Sequence, residues 1–437
     1  MKNKIINITI CVILFIIPLL TLPKGLAEMT YNIPKYVALL ICGVILLVLI
    51  ILKRKELKFD RIDKTLLIFY ILILISMLFS FNIKKAIIGE ANRFEGVLTF
   101  TIYFMVYYCA KYFFQYNKKL KTFAIITVCI SSIIGILQYY NIFPLYYIYN
   151  IFNIPYRPGF ASSTFGNTNF FGSFLAICVP VFMALYLIKE KRCYLVLSYI
   201  SFWAMLSSAT RSSWFGLAFA TIFGIIYVIK NHNKELLKRV GIIAIGFIII
   251  FGIMLIPPKF LPEQFQYGLL SNRLDLLNEE LHSMFIEQNV ESSFGSGRFQ
   301  IWSSVLKVIK ATPLIGCGPD NLKEGLIYYA LEDTIYQAEV YNRYVDKAHN
   351  EYLQIGATIG IPALIVYLAF IGQILYKERN MFKNKATFIL VIPILGYLAQ
   401  AFFNISTIGV APIFWFLLGI IQNEEFKNSL INKDDNS

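Results

Sequence analysis

The strongest constraint on this chain is a series of twelve apolar stretches, each near the roughly 20 residues that a helix needs to cross a bilayer's hydrocarbon core. They cover 5–22, 33–52, 64–82, 95–114, 121–142, 169–188, 193–209, 212–229, 239–256, 352–375, 387–403 and 406–421. Backbone in lipid must satisfy its own hydrogen bonds, and runs of this length do so as helices. Of the 437 residues 57% are apolar and only 15% charged, against roughly 25% charged in a soluble domain. The expected fold class is all-α: a polytopic membrane protein of about 12 transmembrane helices. Lys2 and Lys4 ahead of the first stretch resemble the start of a signal peptide. The apolar run is longer than a typical signal core, however, and is expected to stay as an anchor.

The formal charge of +14 would fit a nucleic-acid partner, but its distribution points elsewhere. With both termini cytoplasmic, 25 of the 40 Lys and Arg fall in inner segments such as KRKELKFDRIDK at 53–64. Only seven fall in short outer loops and span edges: Lys24, Lys35, Lys84, Lys85, Arg93, Arg157 and Arg211. This is the positive-inside pattern. The expectation is a multi-pass membrane protein with both termini cytoplasmic, in contact with the lipid bilayer and not with nucleic acid.

The apolar pattern divides the chain into spans one to nine (1–256), an outer loop (257–351), spans ten to twelve (352–421) and a cytoplasmic tail (422–437). The loop holds thirteen acidic residues against eight basic ones. Phe299, Trp302, Leu306 and Ile309 recur at helical spacing, predicting an amphipathic helix over 298–311. Pro313 ends it, Gly316-Cys317-Gly318-Pro319 makes a turn, and a second helix is expected over about 322–344. Six of the seven cysteines lie within or at the edge of spans, so no extracellular disulfide framework is expected. The spacing of Cys and of His232, His282 and His349 matches no metal motif; neither metal nor cofactor is expected.

Ionisable groups near a membrane that topology does not require are the informative ones. Four arginines and one histidine qualify on the outer side. Arg93 lies in ANRFEGVLTF, Arg157 in YRPGFASSTFGNTNFFG, Arg211 in SSATRSSWFG, Arg298 in GSGRFQIWSSV, and His349 in DKAHNEYLQIGATIG. Arg211 sits in a turn of two or three residues among hydroxyl side chains, which fits an anion site. Arg298 at a helix start opposes the helix dipole, which favours an external anion there. His349 titrates near neutrality and suits proton transfer. Tyr352 and Leu353 are expected to share its helical face, and Gly356 and Gly360 to let a neighbouring helix approach. The aromatic run Tyr139–Tyr156 reads as an interfacial belt.

GRFQIW…TPLIGCGPDNL followed by AHNEYLQIGATIGIPAL resembles the O-antigen ligase/polymerase family of bacterial membrane proteins. RPGFASSTFGNTNFFGSFLA is similar to that family's arginine and "fGNpN" segment, with Thr168 in place of the usual proline. TRSSWFG is similar to its "SRgaw" turn, with Ser212-Ser213 where a Gly-Ala pair is common. The resemblance implies a C-type glycosyltransferase architecture that moves a glycan from undecaprenyl diphosphate to an extracytoplasmic acceptor. The acceptor would be a lipopolysaccharide core, another lipid-linked glycan or a protein hydroxyl; the AT-rich style of composition tilts this towards the polymerase. Carried onto these residues, Arg211 and Arg298 would bind the diphosphate and His349 would deprotonate or orient the attacking hydroxyl beside Asn350. Arg93, Arg157, Asn167, Asn169 and Tyr352 would bind substrate. No DxD triplet occurs, so the displacement would be metal-independent and inverting. The rival class is a transporter, such as a flippase for the same lipid; span centres almost without ionisable residues and an outer cluster of cations favour the transferase.

Overall fold

The computed structural model describes residues 2–21, 31–140, 160–256, 269–285, 297–342 and 344–432. Arg157 and most of the aromatic run at 139–156 lie outside the described residues. Among the described residues regular structure is helical throughout.

The first half comprises α1 (Lys2–Cys11), α2 (Asn32–Lys53), α3 (Arg61–Leu78), α4 (Ile83–Ile88), α5 (Val97–Tyr112) and α6 (Lys118–Tyr139). A π-helical turn, Val12–Ile16, continues α1. The second bundle segment is α7 (Thr168–Lys189), α8 (Arg192–Ser207), α9 (Arg211–Asn231) and α10 (Lys234–Met254). The long loop supplies α11 (Leu270–Phe285), α12 (Arg298–Ala311), α13 (Leu322–Tyr329) and α14 (Leu331–Tyr341). The chain closes with α15 (Glu351–Thr358), α16 (Ile361–Lys377), α17 (Lys385–Ala401), α18 (Ala411–Ile420) and α19 (Glu424–Asn432).

Among the described residues six helices are long and apolar enough to cross a membrane, and α16, α17 and α18 are shorter apolar helices. The expected span at 352–375 is two helices. Gly360 at φ +102° ends the first of them, where a Cβ would stand 2.3 Å from the Leu314 carbonyl oxygen. Gly360 thus makes a turn against the 314 loop, and the Gly356/Gly360 pair is not the helix-packing motif that its spacing predicts. The second loop helix is likewise split, at Ala330 (φ −142°).

Helix starts carry their own reasons. Asp60 and Asp63 form a reciprocal capping box at α3. Asn384 Oδ1 accepts from Thr387 N at 3.0 Å to cap α17. α7 packs on α8, α9 and α17, while α5 packs on α2 and α18. Small residues set the closest approaches: a Cβ on Gly216 of α9 would lie 2.6 Å from the Gly396 carbonyl oxygen of α17.

A second hydrophobic core sits on one end of the bundle and belongs to the long loop. Ile301, Val305 and Val308 of α12 pack there with Cys317, Leu322, Leu326, Ala348 and Ala357. The helix at 298–311 is where periodicity put it, but its buried stripe is rotated. Phe299 and Leu306 remain 50% and 44% exposed, because Cys317, Leu322 and Leu326 offer their surface to the 301/305/308 side. Cys317 N and Gly318 N donate to the Ala357 and Thr358 carbonyls, both at 2.9 Å. That pairing fixes the loop core onto α15, directly after His349. All seven cysteines are free.

Candidate active site

At the end of the bundle that carries the loop core, four helix starts and one interhelical turn meet. Asn167 caps α7, its Oδ1 accepting from Asn169 N at 2.8 Å. The segment before it is anchored by Lys35, a buried lysine whose Nζ donates to the carbonyls of Leu20 (2.6 Å), Tyr31 (3.3 Å) and Thr164 (2.8 Å). The turn that precedes Arg211 is fastened to α7. Thr210 Oγ1 donates to the Thr168 carbonyl at 3.0 Å. Gly172 makes room for that contact, since a Cβ there would meet Thr210 Cβ at 2.8 Å. Asn167, Asn169 and Arg211 are therefore carried by adjoining helix starts.

The turn Phe402-Phe403-Asn404 after α17 joins this pair to the rest. Asn404 is fully buried; its Nδ2 donates to the Asn169 carbonyl (3.0 Å), Ser173 Oγ (2.9 Å) and Ser212 Oγ (3.4 Å). Gln400 Oε1 accepts from Ser173 Oγ at 3.1 Å. Phe403 packs between Phe215, one turn beyond Arg211, and Trp302, one turn beyond Arg298, at ring distances of 5.3 and 6.0 Å. Phe402 contacts Trp302 at 5.9 Å and Tyr352 at 6.2 Å. The Trp302 indole N–H donates to the Ala348 carbonyl at 3.0 Å, which ties the Arg298 helix to the residue before His349.

His349 lies outside a helix. Its φ is +48°, Asn350 follows as the cap of α15, and the helix begins at Glu351. The expected shared helical face with Tyr352 and Leu353 is thus absent. Asn350 Oδ1 accepts from Tyr352 N and Leu353 N, both at 3.0 Å, and Tyr352 Oη donates to the Leu398 carbonyl at 2.8 Å. Both residues shape the loop that presents His349. Arg211, Arg298 and His349 each keep partial exposure.

Arg93 reaches the same loop from the α4–α5 connection. Its Nε and Nη2 donate to Asp346 Oδ2 and Oδ1 at 2.6 and 3.1 Å, and its guanidinium lies 5.6 Å from the Phe170 ring. This bidentate pair links α7, the α4–α5 connection and the His349 loop. Burial pushes the Asp346 carboxyl up, but the Arg93 hydrogen bond and charge, with Lys347 and His349 adding, hold it below its ordinary 3.8. On the flank, Lys85 bonds both Glu90 and Glu324. Burial pushes its ammonium down, and those two carboxylates outweigh it and raise the pKa above the usual lysine range.

Beneath the loop is a buried polar layer. Asp320 pairs with Lys347 and accepts from Glu90 N (2.7 Å) and Glu95 N (3.1 Å). Tyr103 Oη donates to Glu95 at 2.6 Å, and Tyr367 and Tyr397 donate to Glu351 at 3.3 and 3.1 Å. Glu95, Asp320, Lys347 and Glu351 face a cavity of about 40 Å3, the size of one or two waters.

Sequence reasoning missed Asp346, Asn404 and this layer. Asp346 stands three residues before His349 in the quoted motif. Asn404 is the one strongly polar residue in the AFFN turn between two apolar runs; both positions carry a signal, though a weak one.

Residues 195–368 match the family model described as O-Antigen ligase; that stretch contains Arg211, Arg298, His349, Asn350 and Tyr352. Over 412 residues the chain is 26% identical to the ComP-specific O-oligosaccharyltransferase of Acinetobacter baylyi. The alignment covers 88% of this chain and 66% of that relative, just under two thirds of its length. An uncharacterized protein of Haemophilus influenzae is 24% identical over 401 residues, covering 87% of each chain.

Proposed function

We propose, from the match of residues 195–368 to the family model described as O-Antigen ligase, that the chain transfers a glycan from undecaprenyl diphosphate to an acceptor hydroxyl. The reaction would take place at the extracytoplasmic face of a bacterial cell membrane, with both chain termini in the cytoplasm. The observation that carries this reading is the convergence around Phe402–Asn404. Two cation-bearing helix starts, far apart in sequence, meet one turn through Asn404–Ser212, Phe403–Phe215 and the Trp302 ring, and Trp302 in turn bonds the residue before His349.

Arg211 and Arg298 bind the diphosphate, as guanidinium groups suit its paired oxygens. The acceptor oxygen attacks the anomeric carbon as the bond from that carbon to the diphosphate oxygen breaks. The electron pair leaves on the lipid diphosphate, whose growing charge the arginines neutralise. The hydroxyl proton passes to the His349 imidazole. A single displacement of this kind inverts the anomeric centre, and the fixed cations make a metal unnecessary. Arg93 holds the histidine loop through Asp346, and Asn167 and Asn169 border the donor pocket. The relative named as an O-oligosaccharyltransferase makes a protein hydroxyl the first acceptor class to try, ahead of a lipid-linked glycan or a lipopolysaccharide core.

The test uses purified protein in nanodiscs with lipid-diphosphate-linked glycan and each acceptor class. We expect glycan on one acceptor, with equal yield in excess chelator. Lipid movement across a bilayer without glycan transfer supports the flippase instead, and loss of transfer on chelation overturns the metal-free displacement.

A further inference from the structure

At the opposite end of the bundle, α1 and its π-helical turn lie beside residues 114–123, and the groove between them has a volume of about 910 Å3. This end is remote from His349: α5 runs from the Arg93 connection down to Phe114 at the groove. The groove is graded in polarity. Lys4, Asn7 and Lys119 stand where α1 and α6 begin, while Ile8, Val12 and Phe123 line the stretch farther along. No carboxylate lines it, and among the described residues neither Lys4 nor Lys119 has an acidic partner. Ile8 and Phe123 stay 55% and 41% exposed, leaving an open apolar wall.

Length selects the occupant. Lys4 to Ile16 spans about 18 Å at 1.5 Å per residue, close to the roughly 15 Å of hydrocarbon in one leaflet. A cationic mouth over an apolar channel one leaflet deep complements a single acidic lipid. The far wall is also irregular: Val12 and Ile16 belong to the π-helical turn, pinned where the Phe15 carbonyl accepts from Thr127 Oγ1 at 2.9 Å. Such turns recur at functional sites.

We propose that this groove binds one acidic glycerophospholipid, with its phosphate at the Lys4/Lys119 mouth and its acyl chains along Ile8, Val12 and Phe123. The test is native mass spectrometry of the full-length protein in detergent with dioleoyl-phosphatidylglycerol or dioleoyl-phosphatidylcholine. The wild type should retain phosphatidylglycerol with about a tenfold preference, because no choline cation offsets its phosphate charge at the two lysines. Lys4→Glu/Lys119→Glu should abolish the preference, whereas Lys55→Glu/Lys58→Glu, exposed lysines outside the groove, should keep it. Charge reversal near a span can disturb insertion, so Val12→Trp supplies a charge-neutral variant that fills the channel and should lower occupancy by the acidic lipid. Equal retention of both lipids by the wild type overturns the proposal. So does equal loss of preference in both double variants, or unchanged occupancy in Val12→Trp.

Discussion

Asp346 is held by opposing forces, and it shows what a single residue contributes to the site. Burial favours its protonated form, yet the bidentate Arg93 contact keeps it ionised. Its pKa in the folded chain lies below the unfolded value, so the stabilisation is fully present above that value. It is lost as pH falls through the lowered folded pKa. Asp346→Asn should therefore cost about 1–3 kcal/mol at neutral pH, and the gap between wild type and variant should close as pH drops below about 4. Thermal unfolding in detergent across that range measures it; a pH-independent gap contradicts this role for the ion pair. Arg93, Arg211, Arg298 and His349 stand out in the sequence as ionisable groups that the expected topology does not require. Asn404 does not, since a polar residue between two apolar runs reads as an ordinary turn, and only folding reveals the three acceptors around its amide.

Helices were legible where apolar period and stop signals agreed, as for α12, whose observed bounds Arg298–Ala311 match those predicted. Its buried face was not legible. Two apolar stripes compete on that helix, and the choice depends on residues 317–326, folded from elsewhere in the loop. The break at Gly360 was hidden for a similar reason: GxxxG spacing is the same for a packing face and for a glycine that ends a helix at positive φ. At Gly216 the small-residue logic does hold between helices. Gly216→Leu would drive a side chain into the Gly396 carbonyl 2.6 Å away, displacing α9 and with it Arg211. We expect a stability loss of about 1–3 kcal/mol and reduced transfer. Unchanged melting would mean that α9 and α17 can separate without consequence.

On the scale of the whole molecule, the up-and-down helix order sorts the charges. The basic connections between helices gather at one end, where Lys111 pairs with Asp60 and Asp63, and Lys427 with Glu378. Among the described residues, Arg93, Arg211 and Arg298, which depart from that pattern, lie at the other end on the elements that meet the Phe402–Asn404 turn and the His349 loop. The most direct test of this account is the rate of undecaprenyl diphosphate release from a lipid-linked glycan in the presence of acceptor. Wild type, His349→Ala and Arg211→Ala should be compared at equal expression and equal melting temperature. The account predicts losses of about 100-fold or more in both variants, the scale of a missing proton acceptor or a missing donor to the leaving group. Wild-type release by both variants would contradict it.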